Sequence, residues 1–320
     1  MTGADGGGAT GRFAGLAVVV VSYGSAGLLA ANLAPLTRAL PGASAVVVDN
    51  RTTDDERRRM RELAAAEGWL LVEPDTNLGF GPGMNAGVAA ALDAGAEELL
   101  LLNPDASIAP DDVAALLAVV HDTGHEEPGA LVAPRILRPD GSVWFDGSDL
   151  HLGDGRISAT RNRAELGVRD AELWLSGACL LLPARLWRTI GGFGDGYFLY
   201  WEDVELSYRA RRAGARVLVV QEATAVHAEG GTQGAGLERS GQAKSETYYY
   251  FNIRNRLVFA ARNLDGESVA RWRRASLPIA YEVLLQGGRR QFLRPIGPLR
   301  AAFRGVRDGL RASRAAGSPR

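Results

Sequence analysis

The chain has 320 residues, 46% hydrophobic and 23% charged, with a formal net charge of −1; this balance is ordinary for a globular protein and leaves room for one large domain or two small ones. The unbroken apolar stretch from Leu16 to Val21 is, like every other in the chain, far below the roughly 18 residues that span a bilayer. The N-terminus also lacks the basic start of a secretory signal, so a cytoplasmic protein is expected. The single cysteine, Cys179, excludes an internal disulfide and lies in an apolar run, where it reads as a buried inert thiol rather than a nucleophile.

Residues 1–14 are rich in Gly, Thr and Ala and read as a disordered leader. Strand and helix signals then alternate. Ala17 to Tyr23 is a β-branched run expected as a buried strand, and Gly27 to Leu40 a helix closed by Pro41 and Gly42. Ala45 to Asp49 is a second strand, Asp54 to Glu67 a charged helix stopped by Gly68, and Trp69 to Glu73 a third strand. Pro82 to Ala94 is a helix with proline in its first turn. Glu98 to Leu102 is the fourth strand, and Pro110 opens a helix to about His121. This spacing predicts βαβ units, a mostly parallel central sheet and helices on both faces. Ligands of such sheets lie beyond the carboxyl ends of the strands. Those ends carry Ser22-Tyr23-Gly24, Asp49-Asn50, Glu73 to Phe80 and Asn103-Pro104-Asp105.

After Ala130 the pattern turns to short strands, with a polar stretch from Gly147 to Glu172 and an apolar strand, Leu173 to Leu182, interrupted at Ser176-Gly177-Ala178. A helix from Asp203 to Ala213, a strand from Arg216 to Val220 and an isolated His227 follow. Residues 229–241 contain five glycines and read as a mobile loop. The rest is helical, over Ser245 to Asn263 and Glu267 to Gln286, with an Arg-rich tail. Residues 251–320 hold fifteen arginines against four acids, so the remainder is about as strongly negative. Such a tail suits nucleic acid or an anionic membrane surface.

Several residues invite chemistry. Glu202 and Asp203 follow Phe198, Leu199, Tyr200 and Trp201 at the start of a helix; they read either as ordinary first-turn acids or as a carboxylate kept ionised for general-base work. Asp49 ends an apolar strand, where an acid either binds a nucleoside or caps the next turn. Asn103 and Asp105 offer two oxygens to a hard cation or make a common Asn-Pro-Asp turn. His227 is a structural histidine or joins the acid as a ligand. The glycines at 79, 81 and 83 let a backbone approach a ligand or simply make a turn; no Lys-Ser or Lys-Thr follows them, which disfavours a phosphate loop.

In order, the chain reads VVVVSYGS at 18–25, VVVDNRTTD at 46–54, EPDTNLGFGPGMNAGV at 73–88, LLLLNPD at 99–105, SGACLLLP at 176–183, GGFGDGYFLYWEDVELSYRARRAG at 191–214, AVH at 225–227 and YYYFNIRNRL at 248–257. This series resembles the family 2 glycosyltransferases, rhamnosyltransferase-like members above all, over about residues 16–262. The resemblance implies an α/β fold of the GT-A type, at residues 15–262, with a basic helical extension at 263–320. It implies inverting transfer of a sugar, such as rhamnose, from a dTDP- or UDP-donor to a saccharide or polyprenyl-linked acceptor hydroxyl in envelope or polysaccharide synthesis. Mn²⁺ or Mg²⁺ would assist.

By the same resemblance, Ser22, Tyr23, Asp49, Asn50, Asn77, Gly79, Asn85 and Asn103 face the nucleotide sugar, and Asp105 and His227 hold the metal. Asp203 is the base, with Glu202 as its helper. Trp201, Gly177 and Ala178 contact the acceptor or sugar. Two positions depart from the common pattern: Asn103 replaces a frequent Asp, and Gly24 a frequent Asn. They motivate the alternative of a catalytically silent sugar-nucleotide-binding or scaffold protein. A nucleotidyltransferase on a similar sheet lacks support, because no Gly-rich loop bearing Arg and Lys follows the first strand. Contact of the Arg-rich C-terminus with the inner membrane is expected, and nucleic acid is not an expected partner.

Overall fold

The computed structural model describes residues 11–122, 128–167, 170–228, 244–288 and 296–315. The first half runs β1 (Leu16–Ser22), α1 (Ala26–Arg38), β2 (Ser44–Asp49), α2 (Asp54–Glu67), β3 (Leu70–Val72), α3 (Phe80–Asp93), β4 (Glu98–Leu102), β5 (Ala106–Ile108) and α4 (Pro110–Asp122). Then come β6 (Ala130–Leu137), β7 (Val143–Phe145), β8 (Ser148–His151), β9 (Ile157–Ala159), α5 (Arg163–Leu166), β10 (Ala171–Trp174), β11 (Cys179–Pro183), α6 (Ala184–Ile190), α7 (Glu202–Arg212) and β12 (Arg216–His227). Four helices close the chain: α8 (Glu246–Asn263), α9 (Gly266–Arg274), α10 (Ser276–Leu285) and α11 (Ile296–Ala315). Among the described residues no helix is long and apolar enough to cross a membrane.

Among the described residues the central sheet has nine strands in the order β3-β2-β1-β4-β11-β6-β12-β5, with β7 alongside β6. Six strands point the same way, so the sheet is mostly parallel as expected; β11, β5 and β7 run against them. Alternation along β1 explains the layers. Val18 and Val20 face the core under α1, α2 and α4, and Ala17, Val19 and Val21 face the core under α3, α6 and α7. Strands buried on both faces need continuous apolar runs, which β1, β2 and β4 have. Cys179 is buried in β11, and burial pushes its thiol up to about 12, the inert state expected.

Local chemistry sets the boundaries. Thr53 caps α2 by accepting the Glu56 N–H at 3.2 Å, and Gly68 ends that helix at φ +70°. The run expected as one strand at 173–182 divides between two sheets. Ser176 Oγ accepts the Ala178 N–H at 3.3 Å and turns the chain, so β10 joins β8 and β9 in a separate three-stranded sheet while β11 enters the central one. That small sheet occupies the polar stretch 147–172, where Asp149 is buried against Arg163. β12 continues past Val220 through an irregularity before Thr224, and His227 is its last residue instead of an isolated one. The helix expected over 267–286 breaks at Ala275, because Pro278 is accommodated in the first turn of α10.

The first ten residues of the expected leader, and the expected loop at 229–241, lie outside the described residues. Gly11 to Ala14 form a turn in which Phe13 is buried in the core and its N–H reaches Pro41 O.

Candidate active site

The strand ends of β1 and β2 lie side by side, Ser22 opposite Asp49. Asp49 Oδ2 accepts from Arg57 Nε at 2.6 Å, and Arg57 Nη2 donates to the carbonyls of Asp49 and Pro74. The carboxylate is therefore fixed by α2 and does not cap the next turn, a task Thr53 performs. Its other oxygen, Oδ1, is buried with no partner among the described residues, as are Ser22 Oγ and Thr52 Oγ1. Buried polar atoms are normally paired, so three open ones grouped near neighbouring strand ends make this a candidate ligand position. Tyr23, 49% exposed, stands beyond them.

Three of the four asparagines expected at the donor are engaged within the protein. Asn50 Nδ2 donates to Gly79 O at 2.9 Å and its Oδ1 accepts from Leu78 N at 2.7 Å. Asn77 Oδ1 accepts from Gly79 N, and Asn85 makes both of its bonds to the backbone of Phe193. Asn50 and Asn77 shape the loop before α3, and Asn85 ties α3 to the segment at Phe193. Gly79 sits at φ +84°, and a β-carbon there would lie 2.3 Å from Phe198 O. The glycine is required by the approach of the 198–201 segment, whose Phe198 O accepts the Phe80 N–H at 2.9 Å.

That segment carries the acids. Tyr200 and Trp201 both have positive φ, +65° and +76°, a conformation that costs of the order of 1–3 kcal/mol at each non-glycine residue. Asn255 of α8 holds it in place, donating from Nδ2 to Leu199 O and Tyr200 O at 2.9 and 2.8 Å. The turn buries Trp201, 4% exposed, against Phe259 and Trp272. Its ring belongs to the core, which overturns the sugar contact expected of it; the exposed aromatic on this segment is Phe198, stacked on Phe251 at 5.6 Å.

Glu202 and Asp203 then open α7 with different surroundings. Glu202 is buried against the start of α3, near Gly81, and its Oε2 has no partner among the described residues. Burial and the neighbouring Asp203 charge push its carboxyl well above the usual range. Asp203 is half-buried. Burial pushes its carboxyl up to about 6, while N–H groups from Gly177 to Oδ2 at 3.0 Å and Val204 to Oδ1 at 2.8 Å pull it back. Asp203 is thus the member equipped to be ionised near neutrality. Gly177 leaves the space beside it: a β-carbon there would meet Phe80 at 3.3 Å and Asp203 Cβ at 3.5 Å. Ala178 is buried, with its carbonyl accepting the Asn103 N–H at 2.9 Å, so it is not open to an acceptor as expected.

This last bond ties the Gly177-Ala178 turn beside Asp203 to the end of β4, where Asn103 and Asp105 lie. Asp105 is buried, and its Oδ1 meets His227 Nε2 at 3.0 Å. The contact is set by the sheet, in which His227 of β12 pairs with Ala106 of β5. Trp144 packs on the imidazole at 4.6 Å, and His227 Nδ1 is buried without a partner among the described residues. No cluster of three or more His, Cys, Asp or Glu side chains suited to a metal occurs among the described residues. The pair nevertheless fits a cation completed by other ligands. Donors about 2.1 Å from an octahedral Mn²⁺ or Mg²⁺ sit about 3 Å apart at neighbouring corners, and a carboxylate with an imidazole suits either. The Asn103 side chain is partly exposed and makes no hydrogen bond among the described residues.

Arg57 and Asn255 fix the site without having been recognisable in the sequence as parts of it. Asn255 lies in the YYYFNIRNRL motif, but nothing local shows that its amide reaches back to residues 199 and 200.

Comparison with known proteins identifies the family and supports the fold. A sequence model described as "glycosyltransferase like family 2" matches residues 14–274. A low-salt glycan biosynthesis hexosyltransferase of Haloferax volcanii, Agl10, is 25% identical over 82% of this chain and 81% of its own. An N-acetylglucosaminyl-diphospho-decaprenol L-rhamnosyltransferase of Mycobacterium tuberculosis is 31% identical over 66% of this chain and 75% of its own. In structure, the Pyrobaculum calidifontis mannosyltransferase PcManGT, solved with GDP-Man and Mn²⁺, superposes with a TM-score of 0.51 at 16% identity, over 94% of this chain and 86% of its own. GalNAc-T7, solved with UDP, GalNAc and Mn²⁺, gives a TM-score of 0.52 at 14% identity, over 88% of this chain and 58% of its own. At these identities the two structures speak for the GT-A fold alone. The chain belongs to the family 2 glycosyltransferases.

Proposed function

We propose that this glycosyltransferase inverts the anomeric centre as it moves a hexose or deoxyhexose, such as rhamnose, from a dTDP- or UDP-donor to an acceptor hydroxyl in envelope or polysaccharide synthesis. The observation that carries the reading is Asp203, a half-buried carboxylate held by the Gly177 N–H and pushed up to about 6, on the same edge of the sheet as the ends of β1 and β2, where Ser22 Oγ and Asp49 Oδ1 have no partner among the described residues. Asp203 would take the proton of the acceptor hydroxyl as that oxygen attacks the anomeric carbon. Attack from the face opposite the departing nucleoside diphosphate needs no covalent intermediate. Ser22 and Asp49 would receive the nucleoside, and Glu202 would set the field around the base. Asp105 and His227 would hold a divalent cation, which supplies positive charge for the leaving diphosphate.

The acceptor we favour is polyprenyl-linked, by likeness to the decaprenol-linked substrate in the name of the mycobacterial relative; such a substrate would place the protein at the cytoplasmic face of the inner membrane. A silent binding protein would have no use for a carboxylate poised near neutrality. The test is turnover of UDP-, dTDP- and GDP-sugars with Mn²⁺ or Mg²⁺ and polyprenyl-diphosphate-linked acceptors, with the product anomer read by NMR. We expect nucleoside diphosphate release and inverted product with a pyrimidine donor. Tight donor binding without release under any combination would favour the silent protein.

A further inference from the structure

Half of the large apolar side chains that stand exposed among the described residues are on α10 and α11. They form two stripes. On α10 they are Leu277, Tyr281 and Leu285, spaced by four, and on α11 they are Ile296, Leu299 and Phe303, spaced by three and four. These are not core residues left loosely packed. The adjoining face of α10, with Ala280 and Leu284, and the far face of α11, with Ala301 and Ala302, already fill a core with Tyr249 and Ile253 of α8. Exposure reaches 72% at Leu277, 80% at Ile296 and 69% at Phe303.

The end of α10 and the start of α11 lie close to the segment that precedes Glu202 and Asp203. Tyr248, in the first turn of α8, donates from its hydroxyl to Gln286 at the end of α10, and Gly297 at the start of α11 abuts the Glu246 side chain. Tyr248 also packs edge-on against Tyr200 at 5.3 Å, in the segment that leads into Glu202 and Asp203. The end of this helical layer therefore lies beside the segment that leads into Glu202 and Asp203.

Charge identifies the occupant. α11 carries five arginines, at 300, 304, 307, 311 and 314, and one acid, Asp308, which Arg307 already pairs. The acid of α10, Glu282, is taken by Arg156. A second copy of the chain would bring two positive faces together. Apolar stripes flanked by arginine match instead a surface that is negative outside and apolar beneath, as anionic lipid is.

We propose that α10 and α11 dock on an anionic bilayer, with their exposed apolar side chains entering the headgroup boundary and the α11 arginines meeting lipid phosphates, so that the segment leading into Asp203 lies near the membrane surface. The docking needs none of the proposed chemistry. Only its use, the presentation of a lipid-linked acceptor, rests on that reading.

The test is flotation of the full-length protein with phosphatidylglycerol-containing or pure phosphatidylcholine vesicles at low and physiological salt. Binding is expected to phosphatidylglycerol and not to phosphatidylcholine, weakening with salt. Ile296→Glu with Phe303→Glu, and separately Leu277→Glu with Tyr281→Glu, should each reduce binding at least about tenfold, with unchanged melting temperature and unchanged transfer to a water-soluble acceptor. No flotation with phosphatidylglycerol at low salt, or folded variants that float like the wild type, would overturn the proposal. So would a wild-type dimer that these variants make monomeric, which would assign the face to contact between copies. Flotation is read without turnover, so failure of the proposed activity would leave its result standing.

Discussion

Two N–H groups reach Asp203 and none of the described groups reaches Glu202 Oε2, and from this follows a pH dependence. A general base works only when ionised, and burial raises Asp203 to about 6. Transfer should therefore fall as the pH drops through about 6 and level off above it. The acid limb of kcat/KM for the wild type checks this; a limb near 4, where an unperturbed Asp titrates, would contradict the environment assigned to Asp203. The acid pair stood out in the sequence because it opens a helix after an aromatic run, but only the family resemblance singled out Asp203 as the base. The roles of Asn50, Asn85 and Trp201 were not legible. Residue type states what a side chain can bond, and only the folded chain shows that Asn50 is engaged by residues 78 and 79, Asn85 by Phe193, and Trp201 by two other rings. Arg57 gave no local sign either, since its partner Asp49 lies across a turn on another element.

At the scale of elements, the loop before α3 and the segment before α7 are built against each other, and Gly79 is where they touch. With φ +84°, ψ −175° and Phe198 O in the place of a β-carbon, Gly79→Ala should lose about 1–3 kcal/mol of stability. The same change should weaken donor binding, because residues 77–80 would shift away from Asn50. Urea denaturation and donor titration check both; a variant as stable as the wild type would remove the close approach from the account. Most elements were readable from the chain, since β1, β2 and β4 are continuous apolar runs and α2 has its cap, acidic first turn and terminal glycine. Three were not. Apolar residues at 173–182 do not reveal that the two halves enter different sheets. Pro278 fits the first turn of one helix as well as a kink in a longer one. The polar break at Gln221 and Glu222 hides that β12 stays extended to His227.

For the molecule as a whole, the C-terminal helices share a core with the catalytic half. Trp272 of α9 is fully buried, stacks on Phe259 at 5.6 Å, meets Trp201 edge-on and donates from Nε1 to Leu152 O at 2.8 Å. The division expected after residue 262 falls between rings that touch. Trp272→Ala should cost about 3–5 kcal/mol in a single unfolding transition, measurable by urea denaturation; a separate early transition confined to the C-terminal helices would show that they fold apart. This rigid backing also lets one substitution separate chemistry from binding. Asp203→Asn keeps the size of the side chain and an acceptor for the Gly177 N–H while removing the base. Measured side by side, its donor affinity by calorimetry should stay within about threefold of the wild type, and its transfer rate should fall by at least about 10²-fold, the lower end of what a general base contributes. Transfer at the wild-type rate by a folded Asp203→Asn protein would contradict the assignment of Asp203 as the base.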